Sequence, residues 1–277
     1  MDQEERIIKV YLCIEEVYNK LTKNKPLRRG GFAPALSDAE VLTMEIIGEL
    51  EGKNGDRAIW RYFYEHWHSW FPNLSSYKTF AKQCANLTWI KQLIFTSLFP
   101  LNDNVHITDG VPLPICHNKR AYQSKMLQEL TSWGFCAAKE EHYYGIKGFL
   151  TINLKGFINS FIVTSANIDE RLSLYDLIGR IKGLLIGDMG FLGQEYKENM
   201  ANYGIDLQTP VRKNMEDTRN KKYVKTLMYI RKSVETALSV LTTKFSITKI
   251  KAHDIWHFTS KLYRKIIAYN FYIMLKC

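Results

Sequence analysis

Residues 143–167, YYGIKGFLTINLKGFINSFIVTSAN, decide the fold class. Two runs rich in β-branched and aromatic residues flank Lys155-Gly156, and a Lys-Gly pair between such runs predicts a hairpin. Toward the N-terminus, NVHITDG (Asn104 to Gly110) sets Val105 and Ile107 between polar neighbours and predicts a further strand. The intervening residues 111–142, with Pro112 and Pro114, read as irregular. Toward the C-terminus the pattern predicts a helix over 169–182, then a buried strand in GLLIGDMGF (Gly183 to Phe191). A helix over 194–203, a short strand in GIDLQTP, a charged loop RKNMEDTRNKKY and two long helices over 223–244 and 254–275 complete the chain. Three strands followed by alternating helices and strands predict a mixed α/β domain.

The first hundred residues are different in character. Apolar positions Val10, Ile14, Val17 and Leu21 recur at helical spacing. KNKPLRRGGFAP is a basic loop, and Ser37 with Glu40 forms a capping box that opens the next helix. An aromatic helix over Ile59 to Phe71 and another from Tyr77 to Phe99 predict a small helical region. The expected division is a helical region over 1–100, DNA-binding or accessory, and a mixed α/β domain over 101–277.

The 277 residues carry 38 Lys+Arg against 28 Asp+Glu, a formal charge of +10, so a polyanionic partner is favoured. With 46% hydrophobic and 24% charged residues, the composition excludes disordered and collagen-like chains. No run approaches the roughly 18 apolar residues of a membrane span. The start, MDQEERIIKVYL, lacks a signal core, so an intracellular location and no membrane partner are expected. Five dispersed cysteines without CxxC spacing exclude a zinc ribbon or disulfide framework. The glycines form no nucleotide cradle, and Gly-x-Ser-x-Gly is absent. The pairs His66/His68 and His253/His257 have no evident third ligand and read as structural.

Three carboxylates stand out. Asp109 precedes a glycine, Asp188 follows a buried strand, and Glu235 lies four residues after Arg231 on a helix. Singly these read as a turn, a helix cap and a surface ion pair. Jointly they differ: both aspartates are expected at strand ends, where sites collect in α/β sheets. Glu235 borders the apolar stripe Val224, Leu227, Val234, Leu238, Leu241 and Phe245, so it is expected to face the sheet. Converging carboxylates repel unless a cation joins them, and Mg²⁺ prefers such oxygen ligands. Two ions about 4 Å apart would serve phosphoryl displacement on a phosphodiester.

Along nearly its whole length the chain resembles the DDE transposases of bacterial insertion sequences, most closely the group labelled insertion sequence 982. The resemblance rests on LSDAEVLTMEIIGE, IWRYFYEHWHSWFPNL and TFAKQCANLTWIKQ in the N-terminal part. In the catalytic part it rests on ITDGVPLPIC, YYGIKGFLTINLKG, LIGDMGFLG, IRKSVETALSVL and KLYRKIIAYNF. It implies a ribonuclease-H-like sheet flanked by helices, with Asp109, Asp188 and Glu235 as the three acids holding two Mg²⁺ or Mn²⁺ ions. Arg231 matches the basic residue that precedes the family's glutamate. Water would attack a phosphodiester at the element's end, and the freed 3′-OH would attack target DNA, with the protein as a homo-oligomer on DNA in the bacterial cytoplasm at the nucleoid. Arg28, Arg29, Lys213, Arg219, Lys221, Lys222 and Lys244 are candidate phosphate contacts. Two departures are visible: Met189 stands where Lys is expected, and Thr242 stands seven after Glu235, with Lys244 the nearest cation. The alternatives are a DNA-binding protein that has lost its chemistry and a metal-dependent nuclease without strand transfer.

Overall fold

The computed structural model describes residues 2–23, 25, 33–99, 103–136, 140–212 and 214–276. The chain divides into two compact units, Met1–Pro100 with Thr243–Cys277, and Leu101–Thr242. Among the described residues no helix is long and apolar enough to cross a membrane.

The first unit is helical: α1 (Gln3–Thr22), α2 (Asp38–Leu50), α3 (Asp56–His66), α4 (Tyr77–Asn86), α5 (Thr88–Leu98) and α9 (Ile255–Lys276). The capping box at α2 is present: Ser37 Oγ accepts from Glu40 N at 3.1 Å and Glu40 Oε2 accepts from Ser37 N at 2.6 Å. The expected helix from Tyr77 to Phe99 is two, broken at Leu87, which ends α4 and caps α5. In α2 every residue except Glu40 is buried, so this helix is the centre of its unit. That burial encloses Glu45 and Glu49, and buried carboxylates need cations. Lys91 Nζ meets Glu45 at 2.7 Å, while Arg264 Nε and Lys265 Nζ each meet Glu49 at 2.8 Å. Two of these three cations come from α9. The sequence reading expects a second domain over 101–277; in the structure Thr243–Cys277 groups with Met1–Pro100, so the chain returns to the compact unit in which it began.

The second unit is a six-stranded mixed sheet with helices: β1 (Val105–Pro114), β2 (Ser132–Cys136), β3 (Glu141–Asn153), β4 (Ile158–Ser165), α6 (Glu170–Leu177), β5 (Gly183–Ile186), α7 (Gln194–Asn202), β6 (Ile205–Gln208) and α8 (Lys221–Thr243). The order is β2-β3-β1-β5-β6, with β4 also on β3. Pairings of β3 with β1, β2 and β4 are antiparallel, and those of β5 with β1 and β6 are parallel. The hairpin read from residues 143–167 is β3-β4, closed by Gly156 at φ +87°, a backbone suited to glycine. Phe149 of β3 packs with Leu174, Leu177, Leu185, Phe191 and Met200 in a buried core.

The sequence reading ends the first strand at Gly110, but β1 continues to Pro114. Its prolines fall at 112 and 114, the parity opposite to Ile115, whose N–H donates to Tyr144 O of β3. Strand groups alternate in direction, so both proline nitrogens point away from β3. Pairing with β5 has ended by then, and no ladder bond is lost.

Candidate active site

The parallel register of β1 and β5 runs Val105↔Leu184, His106↔Leu185, Ile107↔Ile186 and then stops. Two residues further on each strand stand Asp109 and Asp188. Asp109 is thus mid-strand, opposite Leu150 of β3, at the point where β1 loses its β5 neighbour. This corrects the expectation that Asp109 ends its strand; the open position comes from the neighbour stopping short. Its Oδ1 accepts from Gly110 N at 2.8 Å. Gly187 N donates to Gln208 O at 3.0 Å, so the backbone stays in line with β6 up to Asp188. Asp188 leads a short 3-10 turn over Met189–Phe191, and its side chain makes no capping bond there.

Helix α8 supplies the remaining groups. Arg231 Nη1 meets Glu235 Oε1 at 2.8 Å, the ion pair expected from their spacing. Its Nη2 also reaches Asp188 Oδ1 at 3.3 Å and Asp109 Oδ2 at 3.9 Å. One guanidinium therefore touches three carboxylates drawn from positions 109, 188 and 235. Its side chain is 19% exposed, against 21% for Asp109, 42% for Asp188 and 54% for Glu235, so shielding from water falls off outward. Arg231 Nε is buried and, among the described residues, has no hydrogen-bond partner.

Burial raises the Asp109 carboxyl to about 6; donation from Gly110 N–H and the charge of Arg231 pull the other way, and Asp188 and Glu170 add to the rise. As arranged, the carboxylates surround the guanidinium: among the described residues no three His, Cys, Asp or Glu lie close enough together to hold a metal ion. The chemistry of the donors nevertheless fits a hard cation. Three carboxylates against one guanidinium leave a formal charge of −2 when all are ionised, and all the acids offer oxygen.

A second pair beside the site is absent from the sequence reading. Lys147 of β3 forms an ion pair with Glu170, the first residue of α6. Glu170 Oε2 occupies the space a Cβ on Gly190 would need, 2.2 Å from its ideal position. Lys147 lies inside the recognised stretch YYGIKGFL, but nothing in the spacing links it to a residue 23 positions away.

The expected phosphate contacts separate. Arg28, Arg29 and Lys213 lie outside the described residues. Arg219 is engaged within its own loop, bonding Asp217 at 2.8 Å, Gln208 Oε1 at 2.9 Å and Thr209 O at 3.0 Å. In this arrangement Arg219 braces its loop. Lys221 and Lys222 open α8 on its exposed side. Lys244 belongs to the helical unit, with Nζ 5.4 Å from the ring centre of Tyr272. Met189 is 46% exposed, and the Thr242 hydroxyl donates back to Leu238 O at 2.9 Å.

No curated protein sequence matches the chain. Among solved structures it is similar to piggyBac transposase, seen in a cryo-EM synaptic complex with hairpin DNA, with a TM-score of 0.53 at 10% identity. The superposition covers 99% of this chain and 75% of that one, a likeness of fold that agrees with a ribonuclease-H-like sheet flanked by helices. The family profile described as Transposase DDE domain matches residues 100–254, a span containing Asp109, Asp188, Arg231 and Glu235. That match takes in more than half of the chain, which therefore belongs to the DDE transposase family, enzymes of the polynucleotidyl transferase type that work with divalent metal ions.

Proposed function

We propose that the chain is the transposase of an insertion sequence of the 982-like group, cutting DNA at the element's ends and joining the freed 3′-OH to a target. The observation that supports this most directly is the meeting of Asp109, Asp188 and Glu235 on one guanidinium, in a chain of this family. Asp109, Asp188 and Glu235 would hold the divalent ions, Mg²⁺ or Mn²⁺ and two in number. Bound there, the ions would activate the attacking oxygen and stabilise the leaving one. Arg231 serves as the internal counter-ion of the acids. Burial of Asp109 holds one acid rigidly on the sheet, while the more exposed Glu235 on α8 adapts to the substrate. The helical unit would bind DNA, with Lys221 and Lys222 as further phosphate contacts, and the enzyme would act as a homo-oligomer on DNA in the bacterial cytoplasm.

The test is nicking of a supercoiled plasmid carrying the DNA that flanks the gene, with Mg²⁺, by wild type and Asp188→Asn. Wild type is expected to nick and the variant not; equal activity would remove Asp188 from the site. A pre-cut end with a free 3′-OH, offered with a target plasmid, separates the remaining readings. Joined products support transposition, cleavage without joining supports a nuclease, and duplex binding with neither supports a DNA-binding protein that has lost its chemistry.

A further inference from the structure

We propose that the exposed face of α3, continued by α4, is the surface with which the helical unit grips duplex DNA; the inference rests on the transposase reading above. It follows from a comparison of the cations in this unit. On α1, Arg6 is paired with Glu51 at 2.8 Å and Lys20 with Glu16 at 2.6 Å, and Glu4, Glu5 and Glu15 share the helix. Helix α2 is buried. Lys91 of α5 and Arg264 and Lys265 of α9 are enclosed with Glu45 and Glu49. None of these paired or enclosed cations is available to a phosphate, and the exposed Lys9 of α1 shares its helix with Glu4, Glu5, Glu15 and Glu16.

Helices α3 and α4 are the contrast. Ile59 and Phe63 turn inward on α3, which leaves Arg57, Arg61 and Tyr64 exposed and Trp60 half-buried. On α4, Phe80 and Cys84 turn inward and Lys78 and Lys82 are exposed. Among the described residues, none of these four cations is paired with a carboxylate. Asp56, at the start of α3, is engaged by Arg264 and Lys261, which leaves Glu65 as the exposed acid of that helix. The cations form two i,i+4 rows, each pair about 6 Å apart along its axis.

The same two helices carry packed aromatics. Trp60 stacks on Tyr64 at 5.0 Å between ring centres and meets Tyr77, the first residue of α4, edge-on at 6.4 Å. The Trp60 indole N–H donates to Ser75 O at 2.9 Å. Four exposed cations, unpaired among the described residues and carried on helices joined by an aromatic contact, match a phosphate backbone, since each can displace condensed counterions without first breaking an internal ion pair.

The experiment is fluorescence anisotropy of the full chain with a labelled duplex of about three helical turns. The duplex is drawn from the DNA flanking the gene, and binding is measured across a salt series. Substituting Arg57, Arg61, Lys78 and Lys82 together by Gln is expected to weaken binding at least tenfold at about 0.15 M salt. The slope of log K against log salt should flatten by about 0.9 for each phosphate contact removed. Arg61→Gln alone gives a smaller change of the same sign and covers the case of a misfolded quadruple variant. Lys9→Gln, on the exposed side of α1, is expected to leave the slope unchanged. Wild-type affinity and slope in the quadruple variant would overturn this inference alone, provided wild type still nicks with Mg²⁺. A wild type that neither binds nor nicks would overturn both this surface and the proposed function.

Discussion

Asp109 is the residue on which two demands conflict. It sits in a strand, largely buried, yet it is an acid whose ordinary ionisation lies far below neutrality. With its carboxyl raised to about 6, the folded state favours the protonated form. The resulting contribution to stability is complete below the unfolded pKa near 4 and is lost as pH rises through 6. Asp109→Asn keeps the shape and the acceptor for Gly110 N. In EDTA it should therefore be more stable than wild type by about 2–3 kcal/mol at pH 8 and indistinguishable near pH 4. Thermal melts at the two pH values check this; a variant less stable at pH 8 would show that Arg231 compensates the charge fully. The acids themselves were legible because Asp109 and Asp188 follow apolar runs and Glu235 borders an apolar stripe. The central place of Arg231 was not. Spacing alone pairs it with Glu235, and only the folded register brings positions 109 and 188 to the same guanidinium.

At the scale of elements, the site depends on one strand outlasting its neighbour. β5 is four residues long and β1 is ten, so the sheet opens beside Asp109. The short strand was legible from the apolar run GLLIG; the long one was cut short by a reading that treats proline as a stop. Proline excludes a residue from a strand only when its nitrogen faces a partner, and facing depends on pairing that one sequence does not display. The Lys147–Glu170 pair was equally invisible, since it joins β3 to α6. It constrains the turn after Asp188 through Gly190. Gly190→Ala would push aside the Glu170 carboxylate, the flexible end of a side chain, and strain its ion pair with Lys147. Because no backbone has to shift, nicking should fall by less than tenfold while duplex binding is unchanged. Glu170→Ala added to Gly190→Ala should recover part of the loss, because the obstructing carboxylate is gone. A double variant no better than the single one would place the effect elsewhere.

At the scale of the whole molecule, the two classes of structure were legible and their membership was not. Helical spacing identified the helices of the first hundred residues, and alternation identified the sheet. The family resemblance places the terminal stretch KLYRKIIAYNF with the catalytic part. Its charges decide otherwise: Arg264 and Lys265 are buried against acids of α2. Arg264→Met would leave Glu49 short of a partner and Asp56 reliant on Lys261. Breaking a buried pair in this way costs about 3–5 kcal/mol. Urea unfolding followed by far-UV circular dichroism should show that loss, whereas a change below about 1 kcal/mol would mean that water replaces the guanidinium.

The return of the chain at Thr243 has a consequence in time. A ribosome moving at about 5–20 residues per second needs on the order of ten seconds to travel from the end of α5 to the start of α9. Throughout that interval the newborn α2 holds Glu45 and Glu49 while Arg264 and Lys265 do not yet exist. The second unit can fold during translation, but the first must wait for the codons of α9. A message truncated between the codons of α8 and those of α9 would yield the sheet without a finished helical half.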